Sequence, residues 1–123
     1  MEKQIKVIQQ IFPLLETIEE AINHMPKQLE EMRYEEYFHM LKDIIAGIET
    51  IEQVLIPVKE HLPEIAKPTI KRAKTMLAKS IKEILLDIEA ATYSELDKKT
   101  EQLKRKYTSY KKLLEKELQA TFA

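Results

Sequence analysis

The sequence predicts an all-α fold: an antiparallel up-and-down four-helix bundle, with residues 1–123 forming a single domain. Three observations support this prediction. Apolar residues recur at alternating intervals of three and four in four successive segments, which is the periodicity of one helix face. The segments are joined by short turns, and short turns make neighbouring helices antiparallel. The composition, with 44% hydrophobic residues, 33% charged residues and one glycine, is ordinary for a helical protein.

The first predicted helix covers residues about 3–24. Its apolar stripe is Ile8, Ile11, Leu15, Ile18, Ile22 and Met25. Pro13 lies on the outward face, where water can replace the lost backbone hydrogen bond, and the stripe stays in phase across it. We therefore expect one bent helix. The stretch NHMPKQ is expected to turn, with Leu29 and Met32 in a short separate cap.

The second predicted helix covers residues about 33–60 and has the longest regular stripe. Its members are Tyr34, Tyr37, Leu41, Ile44, Ile48, Ile51, Leu55 and Val58. Gly47 lies beside this stripe in mid-helix, at a cost of about 1 kcal/mol relative to alanine. We interpret Gly47 as a site of close approach by a neighbouring helix, with a hinge as the rarer alternative. Pro57 projects away from the apolar face.

The third predicted helix covers residues about 63–91. Pro63 would point into the core from a helix interior, so we place it in the first turn, where proline is tolerated. The residues that share the apolar face are Leu62, Ala66, Ile70, Ala73, Leu77, Ile81, Ile84, Ile88 and Ala91.

The fourth predicted helix covers residues about 94–120. Two capping boxes fit its start equally well, Thr92 with Glu95 and Ser94 with Asp97. Its stripe is the narrowest of the four, because Thr100 interrupts it: Leu96, Leu103, Tyr107, Tyr110 and Leu114. We expect its last turn, near Leu118 and Phe122, to be loosely docked. Such a helix could be displaced by a partner helix, as in helix-in-groove recognition.

The composition limits the classes of function. Because the chain has no cysteine, it can form no disulfide, thiolate metal site or cysteine nucleophile. No apolar run is long enough to span a bilayer, so no membrane partner is expected. The first residues lack the pattern of a signal peptide. We therefore expect a cytoplasmic protein.

Charge is divided between the two halves of the chain. Residues 1–66 carry 13 acidic and 6 basic side chains, whereas residues 67–123 carry 8 acidic and 14 basic ones. The overall charge is only −1. The two halves therefore attract each other in a compact fold.

The stretch KRKYTSYKK, residues 104–112, combines five cations with two tyrosines. A single strand of nucleic acid would need the tyrosine rings exposed beside the charges. Tyr107 and Tyr110 belong to the apolar stripe, so we expect both rings to be buried.

A basic band is predicted on the outer face of the third and fourth helices, because antiparallel pairing aligns their cations. Its members are Lys71, Arg72, Lys74, Lys79, Lys82, Arg105, Lys112 and Lys116. The band is a candidate contact for a nucleic acid, another polyanion or an acidic partner. The alternative is that it only solvates this face and complements the acidic first two helices.

The sequence offers little for catalysis or metal binding. Glu36 and His39 have the Glu-x-x-His spacing of helical di-iron proteins, but such a site needs two of these elements facing inward. The stretch occurs once, and its helical position is outward. The other histidines, His24 and His61, form no recognisable catalytic set. We expect no metal, no cofactor and no enzymatic activity.

Four apolar residues lie beside the core stripes on the first two helices: Val7, Leu14, Val54 and Ile56. They are a candidate apolar surface for a partner or for a second copy of the chain. The alternative is that they widen the core. The resulting functional hypothesis is a small non-enzymatic protein-interaction bundle, acting as an adaptor, a chaperone-like protein or a regulator. Nucleic-acid or polyanion binding through the basic band is the second hypothesis.

Overall fold

The computed structural model describes residues 2–122, with side chains from Ile5 onward, and this part of the chain forms four helices. Their bounds are Glu2–Glu30 for α1, Tyr34–Lys59 for α2, Ala66–Glu89 for α3 and Leu96–Phe122 for α4. Close packing joins α1 to α2, α1 to α4, and α3 to α4. The predicted all-α four-helix bundle is confirmed. Within residues 2–122, no helix has the length and hydropathy needed to cross a membrane.

The predicted stripes supply most of the core. Buried apolar side chains from all four helices form one cluster. Its largest fully buried side chains include Tyr37, Tyr107 and Tyr110. The expectation that the two tyrosines of residues 104–112 face inward is therefore confirmed.

The prediction that α1 ends near residue 24 is wrong. The helix continues through Pro26 to Glu30. Leu29 follows Met25 by four residues, so it lies on the same helix face and packs against the core. Because the buried face continues beyond Pro26, the helix also continues despite the lost backbone donor. Pro13 and Pro57 also lie inside continuous helices.

Two turns at the same end of the bundle stop α1 and α3 in the same way. Met32 and Ala91 both adopt positive φ, 59° and 53°. At the first turn Arg33 N donates to Gln28 O at 2.7 Å, and at the second Thr92 N donates to Asp87 O at 2.9 Å. This is the hydrogen-bond pattern of a Schellman motif, in which glycine usually occupies the left-handed position. Ala91 therefore terminates α3 and does not extend its apolar face.

α3 and α4 begin three and two residues later than predicted. Pro63 precedes α3, and its carbonyl accepts the backbone N–H of Ala66 at 3.0 Å. Pro68 occupies the first turn of α3, where its missing N–H costs little. Neither capping box forms among residues 92–97. Instead, Thr92 Oγ1 donates back to the carbonyl of Asp87 at 3.4 Å.

The end of α4 is docked, contrary to the prediction of a loose last turn. Leu118 is fully buried, and Phe122 packs against the core. The Phe122 ring lies edge-on to His61 with centroids 6.1 Å apart. Thr100, the polar residue within the apolar stripe of α4, is hydrogen-bonded through its hydroxyl to the buried Tyr37 hydroxyl at 2.7 Å. Displacement of α4 by a partner would therefore expose core residues.

Candidate interaction groove between α2 and α3

One side of the bundle is open. The close packing that joins the other neighbouring pairs is not shared by α2 and α3. Between these helices lies a groove of about 950 Å³, here called the α2–α3 groove. The apolar residues that line it are Ile45, Ala46, Ile48, Val54, Leu77, Ala78, Ile81 and Leu85. Ile48, Leu77 and Ile81 belong to the buried core, whereas Leu85 is 38% exposed.

Gly47 marks a point where α1 and α2 approach each other closely. A Cβ atom on Gly47 would lie 2.9 Å from Cγ1 and Cδ1 of Ile18 in α1. This is closer than the 3.5–4.0 Å at which carbon atoms pack favourably. The predicted close approach at Gly47 is confirmed. The missing side chain lets α1 and α2 pack tightly, while the opposite flank of α2 remains available beside α3.

A hydrogen-bonded carboxylate lies on the α2 side of the groove. Glu52 accepts a hydrogen bond from the Tyr110 hydroxyl at 2.7 Å. Its second oxygen lies 3.2 Å from Lys74 Nζ and 3.3 Å from Lys59 Nζ. The Lys74 contact joins α3 to α2 at this level, so the groove is bridged at one point by an ion pair.

The pKa values of this network follow from burial and from its partners. Burial by itself would raise the pKa of Glu52, but the hydrogen bonds from Tyr110 and Lys74, with the charges of Lys74 and Lys59, outweigh it and hold the pKa below its usual value. Burial, together with the neighbouring Glu52 charge, raises the pKa of Tyr110. Glu52 is therefore a stable acceptor and Tyr110 a stable donor near neutral pH.

The α1–α4 side, in contrast, is held together by polar contacts. Lys111 is 8% exposed, and its Nζ lies 2.5 Å from Glu16 and 3.0 Å from Glu19. Burial would lower the pKa of Lys111, but its two hydrogen-bonded carboxylates raise it instead. The Tyr107 hydroxyl also donates to Leu15 O at 2.7 Å. These contacts fix α4 to α1, which leaves the α2–α3 side as the open one.

The structure distributes the predicted basic band over three surfaces. Lys74 and Lys82 line the α2–α3 groove. Lys79 and Arg105 line a separate cleft between α3 and α4. Lys112 and Lys116 lie farther along α4, beside Glu115. The predicted residues therefore line more than one cleft.

Lys71 and Arg72, the remaining members of the band, are exposed at the start of α3. At about 100° of rotation per residue, Lys71 lies on the same flank of α3 as Lys74 and Lys82. Arg72 lies on the flank of Lys79. The five α3 members of the band therefore divide between two sides of one helix.

The α3–α4 cleft also contains Lys106, Gln102, Glu83 and Ser80. Ser80 is buried, and its hydroxyl oxygen has no hydrogen-bond partner among the residues that the structure describes. The cleft encloses about 380 Å³. It is the place where cations of the two helices meet.

The four residues of the predicted apolar surface have different positions. Val7, Leu14 and Val54 are partly buried and pack against the core. Ile56 is 59% exposed. Val54 and Ile56 are separated by roughly 200° around α2, so the four residues do not form a single exposed patch. By the same geometry Ile56 lies on the flank of α2 that carries Ile45 and Glu52.

Glu36 and His39 are exposed on α2, as their helical position predicted. Glu36 accepts a hydrogen bond from Arg33 at 3.3 Å. In the part of the chain that the structure describes, no three His, Asp or Glu side chains are grouped as metal ligands.

Sequence reasoning missed the α2–α3 groove as a unit. It had assigned Ile48, Leu77 and Ile81 to the core, and it had named Val54, Lys74 and Lys82 only as members of two other candidate surfaces. It also missed an aromatic cluster beside the two Schellman turns. Tyr34 stacks on Tyr93 with ring centroids 4.7 Å apart, and Phe38 lies 6.0 Å from Tyr93. The opposite charges of residues 49–52 and 71–82 were visible in the sequence, but the gap between their helices was not.

The comparisons with known proteins bear on family and not on activity. A family model described as "Domain of unknown function (DUF8042)" matches residues 6–113, which include most of the four helices and the whole α2–α3 groove. No curated protein and no solved structure matches the chain. The chain belongs to the DUF8042 family.

Proposed function

We propose that this protein is a non-enzymatic interaction module, an adaptor or chaperone-like regulator, which binds an amphipathic helix of another protein in the α2–α3 groove. The observation that carries the proposal is the apolar opening between α2 and α3 in a bundle whose other neighbouring helices pack closely. Helix-in-groove recognition uses an apolar groove of this kind, and the partner inserts apolar side chains spaced by one or two turns.

The dimensions of the groove suit a short helical segment. Its lining extends from Ile45 to Val54 on α2 and from Lys74 to Leu85 on α3. At 1.5 Å per residue these stretches are roughly 14–17 Å long, or about three helical turns. A partner helix of that length presents apolar anchors at positions i, i+4 and i+7. Each anchor that becomes fully buried contributes about 1.5–3 kcal/mol before the cost of association.

The setting that we propose is the cytoplasm, supported by a cysteine-free composition that suits a reducing compartment. The partner in this proposal is a different protein. A second copy of the chain is the other possible occupant of an exposed apolar groove. Sedimentation at increasing protein concentration shows whether the chain dimerises, and so distinguishes this occupant from a partner protein.

The test is selection of binding peptides from a library of amphipathic helices, followed by affinity measurements on two variants. Ala78 is exposed and lines the groove, so Ala78→Trp fills the groove. Leu86 is 53% exposed and lies outside the groove lining, so Leu86→Trp on the same helix is the matched control. We expect selected peptides to bind Ala78→Trp at least about tenfold more weakly, and Leu86→Trp within about twofold of the unchanged protein.

Three outcomes would contradict the proposal. The selection could yield no binder, or the selected peptides could bind the groove-filled variant as tightly as the unchanged protein. The third is concentration-dependent dimerisation that Ala78→Trp abolishes, because the groove would then be occupied by a second copy.

A second candidate function is polyanion binding at the α3–α4 cleft. It is favoured by the convergence there of Lys79, Arg105 and Lys106 beside the unpartnered hydroxyl of Ser80. Random-sequence RNA or DNA titrated at low salt should then bind, and the double variant Lys79→Glu/Arg105→Glu should weaken that binding. Absence of binding to the unchanged protein at low salt would exclude this function.

A further inference from the structure

We infer that the helix bound in the α2–α3 groove carries acidic side chains on the edge that meets α3 and basic side chains on the edge that meets α2. The inference rests on the proposed function. The inference adds the charge pattern of the bound helix and the direction in which that helix lies in the groove.

The α3 edge of the groove carries cations, of which Lys74 is paired with Glu52 across the groove and the others lie beyond that ion pair. Lys74 and Lys82 line the groove, and Lys71 lies on the same flank one turn before Lys74. Between residues 67 and 82 the chain has six cations and no acidic residue. Lys71 and Lys82 are exposed and form no ion pair within the described residues, so both are available to a partner carboxylate.

The α2 edge has the opposite charge. Glu49 and Glu52 both line the groove. Glu52 is engaged by Tyr110, Lys74 and Lys59, whereas Glu49 is exposed and forms no ion pair in residues 5–122. A basic side chain of the partner therefore has Glu49 as its acceptor on this edge.

A helix lying between these two edges meets both of them at once. Its apolar face contacts the floor, at Ile45, Leu77 and Ile81, while its two flanks face α2 and α3. Carboxylates spaced by one turn on one flank would approach the α3 cations. An acidic flank placed against Glu49 would instead be repelled. The groove thus distinguishes partner helices by how their charge is distributed, and not only by their apolar anchors.

The same asymmetry sets the direction of the partner. Reversing a helix end to end, with its apolar face kept on the floor, exchanges its two flanks. A helix with one acidic and one basic flank therefore matches the groove in one direction only. A polyanion such as a nucleic acid is disfavoured here, because the floor is apolar and the α2 edge is acidic.

The first experiment uses three synthetic peptides of roughly 18 residues with the same apolar face. One has an acidic and a basic flank, one has two acidic flanks and one has two basic flanks. At about 20 mM salt we expect the first to bind the full chain about three- to tenfold more tightly than either of the others, with the difference shrinking at about 300 mM.

Charge reversal on α3 provides the matched variants. Lys71→Glu/Lys82→Glu changes the groove flank, whereas Arg72→Glu/Lys79→Glu makes the same change in charge on the flank beside α4. In the first pair, the peptide with one acidic and one basic flank should no longer bind more tightly than the peptide with two basic flanks. In the second pair, this difference in affinity should remain. Retained helicity by circular dichroism shows that each variant is folded.

Direction is tested with a nitroxide at the peptide N-terminus. A peptide with its two flanks exchanged should bind with similar affinity but in the reverse direction. The nitroxide of one peptide should therefore broaden the methyl groups of Val54, and that of the other peptide those of Leu85. These two residues lie at opposite ends of the groove.

Equal affinity of the three peptides, with binding still lost in Ala78→Trp, would overturn this inference and leave the proposed function intact. If none of the peptides binds and the library selection also fails, both are wrong.

Discussion

Replacement of Gly47 by alanine tests the packing that places α2 against α1. Helix propensity alone predicts that Gly47→Ala stabilises the bundle by about 1 kcal/mol. The structure predicts otherwise, because the new Cβ would lie 2.9 Å from two carbons of Ile18. Relief of this contact requires a movement of roughly 0.6–1 Å in a buried side chain. Overpacking of this kind costs about 1–3 kcal/mol, so the expected net effect is a destabilisation of about 0–2 kcal/mol.

The assay is urea unfolding of the single and double variants of Gly47 and Ile18, monitored by circular dichroism. Ile18→Ala removes both contacting carbons, so Gly47→Ala should stabilise that background by about 1 kcal/mol. The coupling free energy between the two positions should therefore be about 1–3 kcal/mol. A stabilisation of about 1 kcal/mol in the unchanged background, with no coupling, would refute the close approach of α1 and α2.

Three further predictions concern the turns and the polar contacts. Ala91→Gly should raise the free energy of unfolding by about 1 kcal/mol, because alanine is strained at φ 53°; a loss of stability would contradict the left-handed turn. Lys111→Met should change the free energy of unfolding by less than about 1 kcal/mol, because Glu16 and Glu19 can then be hydrated. Glu16→Gln/Glu19→Gln should lower it by about 2 kcal/mol or more, because the buried ammonium of Lys111 loses its partners. Equal effects of the two changes on thermal unfolding would refute this asymmetry. The pKa of Glu52 is lowered in the folded protein, so the unfolded state binds a proton more readily. The ionised Glu52 carboxylate therefore stabilises the fold above the unfolded pKa of about 4.3, and this stabilisation is lost as the pH falls through the folded pKa. Urea midpoints between about pH 6 and pH 3 should therefore decline less steeply in Glu52→Gln than in the unchanged protein.

The helices were predictable because each buries a regular apolar face. Tyr107 and Tyr110, inside a strongly basic stretch, illustrate the strength of that signal. The end of α1 was predictable in principle, since Leu29 continues the spacing of Ile22 and Met25, but Pro26 suggested a break. Whether a proline interrupts a helix depends on the tertiary packing of the residues beyond it, and the sequence does not report that packing.

The groove could not be predicted, because periodicity identifies apolar faces but not the distance between two helices. Ile81 and Leu77 have the pattern of closed core residues, yet they line the opening. The division of the α3 cations between two clefts is equally hard to predict. Lys79 and Lys82 are three residues apart, and a small rotation around α3 sends one to the α3–α4 cleft and the other to the α2–α3 groove. The burial of Lys111 was not predictable either, because it depends on Glu16 and Glu19 of a distant segment.

The most direct test of the α2–α3 groove as a helix-binding site is a methyl NMR spectrum of the full chain. It is recorded with a soluble paramagnetic agent before and after addition of a selected helical peptide. We expect methyl groups of the groove, among them those of Ile45, Val54 and Leu85, to be broadened in the free protein and to become protected when the peptide binds. Methyl groups of Ile11 and Leu15, fully buried in α1, should be unaffected in both states. Groove methyl groups that stay sharp in the free protein, or protection confined to the end of α4, would contradict the α2–α3 groove as the binding site.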